Sequence, residues 1–554
     1  GLKPVIKGGG HQTISVRLED SLGRDYNMRR LKKSAIQFLQ AVAYKDTPVQ
    51  DQLENTIAEN VIQDFYTAAH PYAFLAVPKL SDAIGLYHTN PKLFYVPKQK
   101  ALEDYNSEFG DELYMIVERP EDNWANVKSF GENTEDILST SDMLEKLRKD
   151  EKYFLDEKAY IKARVFDMLI GDWDRHQDQW KWAEQETQDG NKRFLPIPRD
   201  RDQAFSNFDG AFFGTLRGLT GFANQFAVYG EDIKDVKWFN TAATGMDRTL
   251  IQNMGREAWI EQAEYIQKHI TDEIIEEAFL ELPEITRGET TDFIVKSLKA
   301  RRGNIVDIAT RYYDYMARLA IVTGTDKDDF VEVERLKDGE TRITISRIKD
   351  GKKADLVSDK TYNKKDTDEI WLYALDDDDL INVKGQENQN LIFVRVIGGQ
   401  NNDVYNVEEN SGKKVKIYDY ISKPSTVKSI GNAKLRFRDN YEQNTFDKDK
   451  KTFKSGSITP GFGYNPDDGI KIGIQRVVTV NGFKRNPFTT QSTYNLAYYF
   501  ATKGFDASYK GEFARIIGNY NLRIGAHFSS PNSATNFFGF GNETPNFEAD
   551  LDYD

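Results

Sequence analysis

Apolar residues recur along this chain with a period of two near its start, nearly four through its middle, and two again toward its far end. Ile14, Val16 and Leu18 alternate with Ser15 and Arg17, the rhythm of a half-buried strand. Pro4 to Ile6 precede them, and Tyr26 to Leu31 follow a Leu22-Gly23-Arg24-Asp25 turn, so three strands are predicted, the first two joined through Gly8, Gly9 and Gly10. Between Asp51 and Ala69, Leu53, Ile57, Val61 and Phe65 fall every four residues and predict an amphipathic helix. Leu93 to Val96 and Leu113 to Val117 read as further strands, the last closed by a Glu118-Arg119-Pro120 hinge.

The middle of the chain is organised around Ile161 to Phe205. Val165, Met168 and Leu169 have helical spacing, and Gly171 supplies the stop. The following GDWDRHQDQW is too short and too polar to be core, as expected of a site loop. Trp180 and Trp182 then alternate with polar residues, Asp189-Gly190 turns the chain, and Phe194, Leu195 and Ile197 return it to Arg199-Asp200-Arg201-Asp202. This hairpin brings two acidic loops together. Phe212 to Phe226, aromatic and glycine-rich, is expected to form a substrate-side loop, and Met246 to Ala320 is helical again, with starts at Thr271-Asp272 and Thr291-Asp292.

Past Thr325 the period returns to two, with strands expected at Phe330 to Val333, Thr341 to Ile345, Glu369 to Tyr373, Leu391 to Ile397 and Val415 to Tyr418. Two turns between them, Leu375 to Val383 and Gly398 to Val407, resemble the calcium-binding glycine- and aspartate-rich nonapeptide repeat. The likeness places calcium at Asp379 and Asp403; tight polar turns are the other reading, and two copies are too few for a standing roll. From Gly456 the alternation becomes regular, as in Ile470, Ile472 and Ile474 against Lys471, Gly473 and Gln475. Strands of about ten residues, apolar on one side and polar on the other, fit a transmembrane barrel.

Composition narrows the chemistry. A formal net charge of -14 over 554 residues, with Lys and Arg interspersed among acids, argues against a nucleic-acid partner. The absence of Cys rules out disulfides and thiolate metal sites. The six histidines are scattered, so spacing supports no histidine-rich zinc site. A glycine turn lets backbone N–H groups approach a phosphate, and a cation on the next strand completes the charge balance.

Glycine-loop hairpin, cation strand, long helix, hinge strand, helix, D-R-H loop, hairpin and second acidic loop together resemble the protein-kinase-like fold. The closest flavour is the atypical branch of HipA, spore-coat CotH and secretory-pathway casein-type kinases. That resemblance implies Asp174 as the group that orients or deprotonates an acceptor hydroxyl, with Arg175 and His176 bracing the loop. It implies Asp200 as the metal-binding aspartate, Asp202 as a second candidate, and Gln179 where the family holds Asn. Gly8, Gly9, Gly10, Arg29 and Glu118 are the implied nucleotide contacts, with Arg30, Lys32 and Lys33 competing for the role of Arg29. Magnesium and a nucleotide are the implied cofactors. Gly463 to Ile470 and Phe537 to Thr544 resemble bacterial surface antigens, the group including BamA and TamA. In some such outer-membrane proteins a metallophosphoesterase precedes a kinase-like region; of that phosphoesterase's signature the only D-x-H here is Asp174-Arg175-His176 itself, and no G-N-H-D/E follows it.

The resulting expectation is a multidomain chain. A two-lobed α+β kinase-like domain has its N-lobe at 1–120 and its helical C-lobe at 121–324, followed by a β-rich connector at 325–424 and a linker at 425–455. The first strands of an antiparallel outer-membrane barrel fill 456–554, with room for about four where the smallest barrels have about eight, so the barrel is expected to be incomplete. Membrane lipid and other outer-membrane proteins are the expected partners, and the soluble part should be periplasmic. Nucleotide is scarce there, which keeps a scaffold role, or an accessory role in a larger phosphoesterase-barrel protein, beside phosphoryl transfer.

Overall fold

A computed structural model of the chain describes residues 1–9, 14–31, 70–207, 228–385, 389–465, 468–485 and 487–532. Gly10, Lys32, Lys33, the helix expected at Asp51 to Ala69, the whole Phe212 to Phe226 loop and Phe537 to Thr544 lie outside them. The chain divides into two compact units, Gly1–Phe212 with Asn224–Lys450 and Phe213–Ala223 with Lys451–Asp554. It is a multidomain α/β protein with several sheets.

In the first unit, β1 (Lys3–Gly9), β2 (Ile14–Glu19), β3 (Asp25–Arg30), β4 (Lys92–Val96) and β5 (Glu112–Glu118) form an antiparallel sheet ordered β1-β2-β3-β5-β4. Val16, Leu18, Met28, Val96 and Tyr114 bury one of its faces. Gly8 and Gly9, expected in the turn, sit instead in the ladder opposite Ser15 and Ile14. Between β4 and the segment before it runs α1 (Val77–Ala83).

A second sheet takes the order β6-β8-β9-β7 from β6 (Asp136–Leu138), β7 (Tyr153–Leu155), β8 (Trp180–Glu186) and β9 (Lys192–Pro198). Around it lie α2 (Thr140–Lys149), α3 (Glu157–Ile170), α4 (Thr244–Leu250), α5 (Arg256–His269), α6 (Asp272–Phe279) and α7 (Glu289–Ala317). Their apolar faces meet in one core that includes Phe166, Leu169, Trp180, Trp182, Trp259 and Tyr312. Thr271 caps α6 as expected, accepting from the Ile274 N–H at 3.3 Å. Thr291 does not start α7: that helix begins at Glu289 after Gly288, and the Thr291 hydroxyl donates to the Thr286 carbonyl.

The segment expected as a β-rich connector is a two-sheet parallel solenoid. The strands β10 (Leu319–Thr323), β14 (Glu369–Tyr373), β16 (Phe393–Ile397), β18 (Val415–Tyr418) and β20 (Lys434–Leu435) pair in parallel as one sheet. Their partners in sequence, β11 (Asp329–Arg335), β15 (Leu380–Lys384), β17 (Val404–Val407) and β19 (Thr426–Ser429), pair in parallel as the other. Val322, Leu372, Val396 and Ile417 from the first sheet share a core with Val331, Ile381, Tyr405 and Val407 from the second. The expectation that two turns cannot make a roll is thus corrected. A further copy at Gly324 to Asp329 is separated from the others by the antiparallel hairpin β12 (Glu340–Lys349) and β13 (Lys352–Asn363), which hides the repeat. The last rungs also occupy part of the expected linker.

The second unit contains a meander of β21 (Lys454–Asn465), β22 (Gly469–Val480), β23 (Thr490–Tyr499), β24 (Phe505–Ile517) and β25 (Tyr520–Ser529), antiparallel and paired in sequence order. One strand precedes the four expected. Register places Phe462, Ile472 and Tyr498 side by side, and Ile474 beside Leu496 and Ala507, so the apolar positions of successive strands coincide on one face. Ile472, Ile474, Leu496, Ile524 and Phe528 on that face are exposed. Among the described residues no helix is long and apolar enough to cross a membrane, which says nothing of strands.

Candidate active site

Helix α3 aims the first acidic loop. Asp156 caps its start by accepting from the Ala159 N–H at 2.9 Å. Gly171 ends it at φ +78°, where a Cβ would come within 2.7 Å of the Tyr229 ring. The chain then turns sharply, and Asp172 and Arg175 point back into the protein with 0% exposure. Arg175 donates to the Arg199 carbonyl at 2.7 Å and the Gln179 carbonyl at 2.9 Å, and its guanidinium stacks 4.6 Å from the Trp180 ring. These bonds hold the loop against the β8–β9 hairpin, and complete burial removes Arg175 from the residues able to touch a ligand. His176 accepts the Asp178 N–H at Nδ1, and its Nε2 lies 3.4 Å from the Gln179 amide nitrogen.

The hairpin β8–β9 brings the second acidic loop alongside. Trp180 pairs with Pro198, and the Arg199 N–H donates to the Gln179 carbonyl at 2.9 Å, so the two loops leave the sheet as neighbours. Asp200 takes a left-handed φ of +54°, a conformation that Asp tolerates better than bulkier residues. Its carboxylate forms an ion pair with Arg29 of β3, and the Gln179 amide nitrogen lies 3.5 Å from its other oxygen. Asp202 accepts from Gln203.

Electrostatics register this convergence. Burial raises the Asp174 carboxyl above the ordinary carboxylate range; His176 opposes the rise, while Asp202 and Asp200 add to it. Burial pushes Asp172 up to about 7, with Arg175 opposing and Asp167 reinforcing. Attraction to Asp200 raises Arg29. The three carboxylates at 174, 200 and 202 therefore share one field, with Arg29 as the cation facing it.

Beside them opens a narrow cleft with about 40 Å³ of space for the centres of water-sized contents. Phe74, Val77, Pro78, Pro91, Met115 and Val117 provide apolar walls, and Arg29, Asp200 and Asp202 line the polar part. Glu118, at the end of β5, also lines it and accepts the Asn90 N–H at 2.6 Å. Apolar walls with a few convergent polar groups are the usual form of a small-molecule site.

Other expected residues lie elsewhere. Gly8 and Gly9 belong to the β1 ladder. Asp379 and Asp403 are buried in the solenoid, where their carboxylates accept backbone N–H groups of the adjoining rung: Asp329 to Asp379 at 2.7 Å and Asp379 to Asp403 at 3.1 Å. They act as polar turn residues. Among the described residues no three His, Asp or Glu side chains are grouped to hold a metal. Magnesium does not demand such a cage, since it commonly uses one or two carboxylates with water and substrate phosphates. Asp200, Asp202 and the Gln179 amide are hard oxygen donors of that kind.

Sequence reasoning missed the residues beneath the site. Asp167, Arg164 and Arg201 are buried and ion-paired below the two loops. Their signal was a lone acid in the apolar run Val165 to Ile170. Compared with protein-family models and with curated proteins, the chain matches none.

Proposed function

We propose that the cleft binds a nucleotide with a divalent cation and supports phosphoryl transfer to a hydroxyl acceptor. The observation that carries this reading is the meeting of Asp200, Asp202 and Arg29 at the polar part of an apolar-walled cleft, with Asp174 within electrostatic reach of both carboxylates. The apolar walls suit a flat base, and Glu118, an acceptor at the edge, suits a base or sugar donor. Asp200, Gln179 and Asp202 would hold the cation, which neutralises phosphate charge when bound. Arg29 exchanges Asp200 for phosphate oxygens, its guanidinium serving as a planar donor in place of a lysine point charge. Asp174, with a proton affinity raised by burial, takes the acceptor hydroxyl proton.

Calorimetry on the full chain in detergent tests this. Magnesium with ATP should release binding heat in the wild type and none in Asp200→Ala, while Asp174→Asn should keep the heat and lose transfer. A wild type that binds no magnesium nucleotide overturns the reading. The direct Arg29–Asp200 ion pair favours a second one, in which the two groups neutralise each other permanently and the lobes serve as a docking scaffold. In that case partners co-purify with wild type and Asp200→Ala alike.

For the second unit we infer a membrane-spanning role in the outer membrane, with the first unit on the periplasmic side. Cross-strand alignment of exposed Ile472, Ile474, Leu496 and Phe528 on one face supports it, because contiguous exposed apolar surface of this kind marks contact with lipid or a partner.

A further inference from the structure

Asp167 touches neither the cleft nor any implied ligand, yet it is joined to both acidic loops. Its Oδ2 accepts from Arg164 of the same helix at 3.0 Å and lies 3.3 Å from Nε of Arg175 in the first loop. Its Oδ1 accepts from Nε and Nη2 of Arg201, in the second loop, at 3.2 and 2.9 Å. Its carbonyl accepts the Asp172 N–H at 2.9 Å. The Arg201 guanidinium carbon also lies over the Phe166 ring, 4.7 Å from its centroid.

Beyond these contacts Arg164 also donates to Asn240 and Arg201 to the Ser81 hydroxyl, both neutral partners. Asp167, Asp172 and Asp247 stand against Arg164, Arg175 and Arg201, three carboxylates to three guanidiniums, all buried. Asp247 is occupied by Arg164, Tyr160 and Tyr312, and Asp172 by Arg175. Among these three carboxylates, Arg201 has Asp167 alone as its hydrogen-bonded partner. A buried guanidinium whose carboxylate is removed must move or recruit water. Displacing one loop therefore disturbs the anchor of the other.

We propose that Asp167 is a positioning residue that couples the two acidic loops, setting the separation of Asp174 from Asp200 and Asp202 through Arg175 and Arg201. Its consequence for chemistry rests on the phosphoryl-transfer reading; the coupling itself is measured without ligand.

The test is peptide-resolved hydrogen exchange on the full chain, with Ile266→Val as a destabilised control in the same core. Asp167→Asn should speed exchange about tenfold in both 172–179 and 199–206. If that variant does not fold, Arg201→Lys decides, since it keeps the buried charge and loses the paired donation to Asp167. Its change lies in the second loop, but exchange should rise in 172–179 as well. The Asp174 carboxyl, followed by carbon NMR, should titrate lower in Arg201→Lys, because Asp200 and Asp202 withdraw, and should be unchanged in Ile266→Val. Exchange confined to 199–206, an unmoved Asp174 titration, or the same response in the control would each overturn the coupling. If the wild type binds no nucleotide, the functional reading fails and the exchange result still decides the coupling.

Discussion

Arg29 and Asp200, 171 residues apart in sequence, form an ion pair that closes the polar part of the cleft. One belongs to a five-stranded sheet and the other follows the β8–β9 hairpin of a four-stranded sheet, so the contact ties the two sheets together. Both side chains are less than a quarter exposed, where a charged hydrogen bond contributes about 2 kcal/mol.

Replacing Arg29 with Met should therefore lower unfolding stability by about that amount and abolish nucleotide binding. Denaturant titration and calorimetry on the same preparation check both. Loss of stability with binding intact would show that Arg29 only ties the two sheets.

The solenoid depends on a glycine at the end of a rung. Gly399 has φ +103°, and a Cβ there would lie 2.2 Å from the Leu375 carbonyl oxygen of the neighbouring turn. Gly399→Ala should cost about 1–3 kcal/mol from backbone strain, and more from the collision. The denaturation midpoint should fall; an unchanged midpoint would mean that the rungs separate freely.

The contribution of Asp403 to stability should decline from acid toward neutral pH, opposite in sign to that of carboxylates held below their usual range such as Asp359. Burial, reinforced by Asp419, raises Asp403 to about 7, whereas an unfolded Asp titrates near ~3.9. Between those values the folded chain keeps a proton that the unfolded chain releases. The contribution is complete below about pH 4 and is lost as pH rises through about 7, on the order of 4 kcal/mol for a shift of that size. Asp379, raised by burial and by Asp403, acts in the same direction. Asp403→Asn retains an oxygen for the Asp379 N–H and removes the titration, so its midpoint should vary less between pH 4 and 7 than that of the wild type.

On the meander, Leu496 sits between Ile474 and Ala507 on the apolar face and is exposed. Leu496→Lys should reduce partitioning into lipid vesicles, by about 2–4 kcal/mol if the position lies at mid-bilayer. Asn495→Lys, on the opposite face, should leave partitioning unchanged. Equal effects from both would remove the lipid assignment.

Much of this organisation was legible from local pattern. The helix before the first acidic loop, its glycine stop, the Asp189-Gly190 hairpin and the alternating strands near the far end follow from spacing and turn chemistry, which depend only on near neighbours. That the loops carrying Asp174 and Asp200 leave the sheet as neighbours also followed, because a short hairpin joins them. Tertiary structure alone decided the rest. It showed that Arg175 faces inward, that Arg29 pairs with Asp200, and that Asp167 collects guanidiniums from two loops. It also showed that Asp379 and Asp403 serve backbone N–H groups in a parallel solenoid. Charged residues carry no periodic signal that says which distant partner neutralises them. Parallel pairing joins segments whose spacing an inserted hairpin can change without altering either strand.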